Sequence, residues 1–406
     1  MEYRWDVVIA GGGIVGLATA HRLLQRRPGL RVLVLEREYL PATQQSDHNS
    51  GVVHAGVYYA PGSLKAELCR RGRALLLDFC RRHDIPYRIT GKLIVARDSD
   101  ERPRLHELKR RAEANGVSDA RLMTPAEMRE VEPHVFGVEA LHVPSTAVVD
   151  FREVARVLSR RVNDLGGLVR VSTTVKRVER RPDGLVVHTS RGHEWTGGFI
   201  ACAGLYSDRL AAAAGAPADL TIIPFRGDYY EVRPERRELC RGLIYPVPDP
   251  RFPFLGVHFT RDIHDRVLAG PNAVLAFSRQ GYGRFDVRPA DLAETLRWPG
   301  FWRLASRHLP TGLAEMWRDY NRASYVTALQ DYLPALRSID VTAGPSGVRA
   351  QALTRDGRLL DDFSFHVAER MLHVRNAPSP AATSSLAIAE AVVEKARDAL
   401  GLALRD

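Results

Sequence analysis

Paired cysteines, long apolar runs and lysine are what this 406-residue sequence has least of. Its four cysteines, Cys69, Cys80, Cys202 and Cys240, stand far apart and form no CxxC pair. That argues against a disulfide framework and against a thiolate metal site, so no metal is expected. They read as buried or inert thiols of a reducing compartment, and the cytoplasm is the expected location. Glycines and arginines interrupt every apolar stretch before the ~20 residues that a membrane-spanning helix needs. The opening MEYRWDVVIAGGG runs directly into a strand, so no targeting peptide is expected. Repeats and low-complexity tracts are missing as well.

Only five of the 58 basic residues are lysine, and the net charge is +10. A basic balance of this size raises nucleic acid or an anionic membrane as partners. However, the excess is spread along the chain and mixed with acids and turn residues, as in RRHDIPYR and ERRPDG. Nucleic acid is therefore not expected. Peripheral attraction to anionic lipid, on the inner face of a membrane, ranks above it.

What is present is ample core material, 45% hydrophobic and 26% charged, over a length that suits two or three domains at about 150 residues each. Apolar periodicity predicts a strand over 6–10, a helix over 14–26 and a strand over 31–35. Helices are expected over 63–83, 100–115, 151–165 and 384–400, with strands over 91–96 and 199–203. The stretch VRVSTTVKRVERRPDGLVVHTS reads as a hairpin turning at Asp183-Gly184. Residues 222–277 alternate short β-rich runs with Pro/Gly turns, and 298–332 is mostly helical. With α/β material at both ends and in the middle, two intertwined domains are expected.

The strongest local motif is DVVIAGGGIVGLATA, in which Gly11, Gly13 and Gly16 fit GxGxxG between a strand and a helix. Gly11 permits the tight turn, Gly13 lets the backbone approach a pyrophosphate, and Gly16 allows close helix–strand packing. The amides of Ile14 and Val15 open the helix, whose positive end suits a diphosphate. Glu36 closes the second strand, where its carboxylate can accept both ribose hydroxyls. This unit binds a dinucleotide without saying which one. No second GxGxxG and no redox CxxC follows, which argues against a pyridine-nucleotide disulfide reductase.

A second constellation, HNSGVVHAGVYYAPGSLKAELCRRG over 48–72, is polar, glycine-rich and aromatic. From here the chain resembles the L-2-hydroxyglutarate oxidase/dehydrogenase family, flavoproteins of the D-amino-acid-oxidase-like fold. The resemblance runs nearly end to end through GKLIVA, PFRGDYYEVRPE, GLIYPVPDPRFPFLGVHFTR, GPNAVLAF, GPSGVRAQAL, DGRLLDDF and NAPSPAATSSLAI. It implies FAD and an α/β architecture: a Rossmann-like FAD-binding domain intertwined with a second, β-rich (α+β) substrate domain. The division expected is 1–85, 148–221 and 335–406 for FAD, and 86–147 and 222–334 for the substrate. The reaction implied is oxidation of L-2-hydroxyglutarate to 2-oxoglutarate.

The expected cofactor contacts are Gly11, Gly13, Ile14, Val15, Gly16, Glu36 and Arg37, then Asn49, Ser50 and Gly51 of the second loop. Val175, Ala203, Gly204 and Gly347 join them, as do Ala377, Pro378, Ser379 and Ala382, small residues just before the last helix. Oxidising a 2-hydroxy acid also needs a base for the hydroxyl proton, and histidine suits that. His54, inside the glycine-rich loop, is the first candidate and His258, in GVHFTR, the second. A dicarboxylate needs cationic forks. Arg349 in GVRAQ is the expected anchor, because the resembled fold places an arginine there. Arg226 is a further candidate that suits a role in its own strand equally well. Lys92 and Tyr58 complete the expected substrate contacts. An electron acceptor (quinone, oxygen or another flavoprotein) is implied. An amine or amino-acid oxidase on the same fold, or a non-catalytic flavin-binding electron-transfer protein, are the alternatives.

Overall fold

The computed structural model describes residues 4–250 and 255–403; residues 251–254 of the quoted GLIYPVPDPRFPFLGVHFTR string lie outside them. Strand Arg4–Ala10 leads through the glycine turn into helix Ile14–Arg26 and strand Val32–Leu35. Val7 and Ile9 pack with Val32 and Val34 on one face of the sheet, Val8 and Ala10 with Leu33 and Leu35 on the other. That two-sided burial is why these strands are continuously apolar. The helix presents Ile14, Leu17, Ala18 and Leu24 to the same core as Val7, the i, i+3, i+4 spacing of one helical face. It ends before Gly29, which adopts φ +84°.

The sheet that these strands found has eight members. Leu168–Arg170, Val32–Leu35, Arg4–Ala10, Gly192–Ala201 and Met371–Asn376 run parallel in that order. The first half of Gly192–Ala201 pairs instead with the hairpin Val175–Arg181/Gly184–Thr189. The expected hairpin thus forms, with its two-residue turn at Pro182-Asp183, one position before the predicted Asp183-Gly184, because Gly184 already pairs with Arg181. Its leading residues do not belong to it: Leu168–Arg170 pairs in parallel with Val32–Leu35, and Ser172, at φ +50°, marks the break. Helices Phe151–Asp164 and Ser385–Ala399 pack beside Ile14–Arg26 over one core. Helix Leu64–Arg82 joins them, its N-terminal amides received by Ser63 and by Asp362 across the fold.

A nine-stranded sheet carries the second body. Its axis is the long antiparallel pair Leu220–Val232 and Val341–Thr354, interrupted by a bulge between Asp228 and Tyr230. The sequence division assigns strand Val341–Thr354 to the FAD-binding segments. Its hydrogen bonds go to this other sheet, because its apolar positions complete the core under Leu220–Val232. Helix Arg322–Gln330 roofs that core with Tyr325, Val326 and Leu329. A small sheet of Val52–Val53, Ala147–Val149 and Tyr87–Ile89 lies apart from both large ones.

Arg279 ties the two bodies together. Its guanidinium forks onto Asp208 at 2.5 and 2.8 Å and donates to the Leu205 carbonyl at 2.6 Å, while Asp208 also receives the Thr221 hydroxyl and the Ile222 amide. Burial alone would raise the Asp208 pKa, but the Arg279 fork and charge outweigh it and hold it below the usual range. Removing one partner of such a pair strands a buried charge, at about 3–5 kcal/mol. Arg279→Met is therefore expected to lower the urea unfolding midpoint markedly. Arg156→Met, which breaks an exposed pair with Glu153, should leave it unmoved. Equal midpoints for the two variants would show that the Arg279 fork is not a structural tie.

Candidate active site

A continuous cavity of about 1210 Å³ runs between the two bodies. Ordinary single-ligand pockets occupy roughly 300–1,000 Å³, so there is room for an extended cofactor and a second ligand. Gly11, Gly13, Ile14, Val15, Glu36 and Arg37 line one part of it. Gly11 sits at φ +109°, and a Cβ there would lie 2.2 Å from the Cys202 carbonyl oxygen. A Cβ on Gly16 would lie 2.0 Å from the Gly11 oxygen. Gly16 does not line the cavity; it acts by letting the helix close on the turn. A methyl on Gly13 would meet only the Ser46 hydroxyl, at 3.3 Å, and would otherwise enter the cavity.

Glu36 is buried, and its two oxygens already accept the amides of Gly12 (2.7 Å) and Glu38 (2.9 Å). Burial raises its pKa and the backbone bonds oppose that. Each oxygen keeps a further lone pair, enough for two ribose hydroxyls. Arg37 pairs with Glu38 and lies over the Tyr206 ring at 4.3 Å. Asn49, Ser50, Val175, Ala203 and Gly204 line the cavity, and so do Gly347, Ala377, Pro378, Ser379 and Ala382. Gly51 does not. It sits at φ +70°, and a methyl on it would lie 2.7 Å from the Val149 carbonyl oxygen, so it shapes the loop behind the wall.

The other part of the cavity gathers His54, Tyr58, Tyr229, Tyr245, His258 and Arg349. Burial pushes His54 down to about 3, helped by the positive charge of Lys92 and by His258. His258 is also pushed down to about 3, again chiefly by burial; the Gly256 hydrogen bond opposes this, and the charges of Arg349 and Lys92 add to it. Both rings are thus neutral at neutral pH. They differ in orientation. His258 Nδ1 lies 2.9 Å from the Gly256 carbonyl, so it must carry the proton and donate, which leaves Nε2 as an acceptor. Its ring packs on Tyr245 at 3.9 Å. The His54 backbone is held by Thr383 Oγ1 at 3.1 Å, but its buried Nδ1 meets no hydrogen-bond partner among the described residues.

Two expected substrate contacts are not in this wall. Arg226 points away: Gly227 faces Gly347 across the strand pair and shares its face with Arg349, whereas Arg226 stands opposite Val348 on the other face. There its guanidinium is taken up by Asp228, Asp319 and the Gly283 carbonyl, so the structural alternative holds. Lys92 lies behind the wall, buried against the rings of Tyr58 and Tyr245. Conversely, sequence reasoning missed Ser46, whose hydroxyl receives the Ile14 amide at 3.0 Å. It also missed Thr383, Tyr229 and Tyr245. The alternation along PFRGDYY could have exposed the Arg226 error. Ser46 and Thr383 act over 32 and 329 positions and leave no local signal.

The cradle at Gly11–Gly16, the ribose-ready Glu36 and the long cavity all fit FAD. Comparison with known proteins agrees. The family model described as FAD dependent oxidoreductase matches residues 6–395. L-2-hydroxyglutarate dehydrogenase of Indibacter alkaliphilus is 47% identical over 391 residues, covering 96% of this chain and 98% of that one. Mitochondrial L-2-hydroxyglutarate dehydrogenase of Homo sapiens is 44% identical over 408 residues, covering 96% and 88%. Among solved structures, the FAD-bound, dithionite-reduced L-alpha-glycerophosphate oxidase of Mycoplasma pneumoniae superposes with a TM-score of 0.80 at 23% identity, covering 100% and 96%. Glycine oxidase of Geobacillus kaustophilus gives 0.71 at 18%, covering 98% and 95%. With a glycine cradle, a paired-domain cavity and a family match over almost its whole length, the chain belongs to the FAD-dependent oxidoreductases.

Proposed function

We propose that this enzyme oxidises L-2-hydroxyglutarate to 2-oxoglutarate. The observation that carries the reading is the meeting, in one cavity, of a buried arginine with a neutral, oriented histidine. The identity to L-2-hydroxyglutarate dehydrogenases supports the choice of acid.

Glu36, the Gly11–Val15 backbone and the turn before the last helix would hold FAD, which when bound would supply the acceptor for the hydride that leaves Cα. The protein's own residues do the rest. Arg349 offers a planar fork to a substrate carboxylate. His258 Nε2 receives the hydroxyl proton, with Nδ1 anchored on Gly256 so that the lone pair stays presented. Tyr58, Tyr229 and Tyr245 line the wall and keep water from the reacting carbon. Turnover ends with delivery of two electrons to an acceptor, which is oxygen, a quinone or another flavoprotein. No helix among the described residues is long and apolar enough to cross a membrane; we place the enzyme in the cytoplasm, with peripheral contact to the inner face of a membrane as the variant that a flotation assay decides.

Anaerobic mixing tests the reading. L-2-Hydroxyglutarate should bleach the bound flavin at least about 10²-fold faster than L-lactate, because a site built for a second polar anchor rejects an analogue that leaves it unpaired. The D enantiomer should also be slow. Equal bleaching by lactate would remove the distal anchor. Bleaching only by amino acids would make this an amine oxidase, and no bleaching by any acid would make it a non-catalytic electron carrier.

A further inference from the structure

Lys92 is 2% exposed, and among the described residues neither a carboxylate nor a hydrogen-bond acceptor meets its ammonium. Its neighbours are two aromatic faces, Tyr58 at 4.5 Å and Tyr245 at 5.0 Å. Such faces replace only part of the hydration that burial removes. A buried ammonium in that position either gives up its proton or gains an anion. The groups packed around it supply no negative charge. Helix Leu64–Arg82 contributes Cys69, whose thiol burial pushes up to about 12. Tyr58 and Tyr245 are held above the usual phenol range by burial, and His54 and His258 are neutral. His142 stands beside Gly91, also depressed by burial. Tyr58 and Tyr245 are themselves cavity wall, so an anion in the cavity has only aromatic wall between it and Lys92.

We propose that Lys92 is a ligand-gated charge: entry of a dicarboxylate makes it take up one proton from solvent, and together with Arg349 it supplies the second positive charge that a dianion requires. The inference rests on the dicarboxylate reading above and deepens it, since it names the residue that separates dicarboxylic from monocarboxylic acids. It also explains how a lysine with no acid partner is tolerated. Burial holds Lys92 down to about 7, so the free enzyme carries it close to the balance point and is not obliged to keep a bare charge.

The sign follows directly. A dianion raises the Lys92 pKa above its free value. Between the two values binding absorbs a proton, and affinity falls as pH rises, by about tenfold in all for a rise of about one unit. Below about pH 6 the lysine is already charged and affinity is flat.

Calorimetric titration of oxidised, FAD-loaded enzyme with 2-oxoglutarate, in buffers of different ionisation heat, reads this without turnover. At pH 7.5 the wild type should absorb about half a proton per ligand, the uptake that a rise of about one unit from the free value gives. Lys92→Met should bind about tenfold more weakly at pH 6.5, the effect of one charge about 12 Å away at an effective dielectric near 20, and absorb none. Lys92→Arg, permanently charged, should bind with pH-independent affinity. Flavin content and near-ultraviolet dichroism confirm that both variants are folded. Wild-type binding without proton uptake overturns the inference and leaves the functional reading standing. Uptake that survives in Lys92→Met also overturns it, by assigning the proton to the histidines. A wild type that binds neither 2-oxoglutarate nor L-2-hydroxyglutarate overturns the functional reading, and this inference with it.

Discussion

At saturating L-2-hydroxyglutarate, His258→Gln is expected to bleach the flavin about 10²–10⁴-fold more slowly than wild type, the usual cost of losing a general base. The expectation comes from orientation. The Gly256 carbonyl fixes the proton on Nδ1 and leaves Nε2 as acceptor, and Tyr245 holds the plane of the ring. His54 lacks such an orienting partner on its buried nitrogen, and its backbone amide is engaged with Thr383. His54→Gln should accordingly slow the limiting rate by less than about tenfold, well short of the general-base range. The pH profile gives an independent reading. Burial pushes uptake of a second proton by His258 down to about 3, so the ring is neutral throughout pH 5–8, and the limiting rate should show no acid limb near the ordinary histidine value of about 6.5. A limb there, or a nearly unaffected His258→Gln beside a disabled His54→Gln, would move the base to the loop.

The second large effect is expected from two neighbouring glycines that fail in different ways. Gly16→Ala places a methyl 2.0 Å from the Gly11 carbonyl oxygen, a backbone atom that cannot rotate aside. The helix must lift off the turn, and the purified protein should hold little or no flavin and unfold earlier. Gly13→Ala meets only the Ser46 hydroxyl at 3.3 Å. Its apoprotein should melt with the wild type. FAD affinity should nevertheless fall by about tenfold or more, because the methyl occupies the approach that the second glycine of the fingerprint keeps open for pyrophosphate. Absorbance at the flavin band, together with apoprotein melting, separates the two. A full flavin complement in Gly16→Ala would remove the close-packing argument.

The contrast also shows where the sequence was readable. The dinucleotide unit was legible because turn, helix and acid lie close together, between Gly11 and Glu36, and each follows from local backbone requirements; helix Ile14–Arg26 appears at its expected bounds. Sheet membership was less legible. Val341–Thr354 lies just ahead of Ser364–Ala368, which pairs with Met371–Asn376 in the first sheet, yet it pairs with a strand more than a hundred positions upstream. Nothing in its own alternation names that partner. The same pairing decides which arginine reaches the cavity. Arg349 and Arg226 carry similar local signals, and only the register of Gly227 against Gly347 separates them. Lys92 was visible as an unusual residue among 53 arginines and four other lysines. Its depth could not be seen, because burial behind Tyr58 and Tyr245 depends on the arrival of strand Leu243–Pro246 from about 150 positions away.

The order of segments along the first sheet bears on when the protein can exist at all. Gly192–Ala201 stands at the sheet's centre, and the edge of its second half is covered only by Met371–Asn376. The core beneath includes Ile388, Val392 and Val393 of the last helix. A ribosome that has delivered the glycine cradle must therefore make more than three hundred further residues before that cradle has a finished floor. Domains usually fold in turn as they emerge, but here the second sheet gains its axial partner only with Val341–Thr354 and the first sheet its last parallel strand only with Met371–Asn376. Assembly is a late, largely single event after synthesis, dominated by long-range pairings that form slowly. Cofactor loading belongs to the finished chain, and unfinished chains expose the apolar strands Arg4–Ala10 and Val32–Leu35 to chaperones for most of translation.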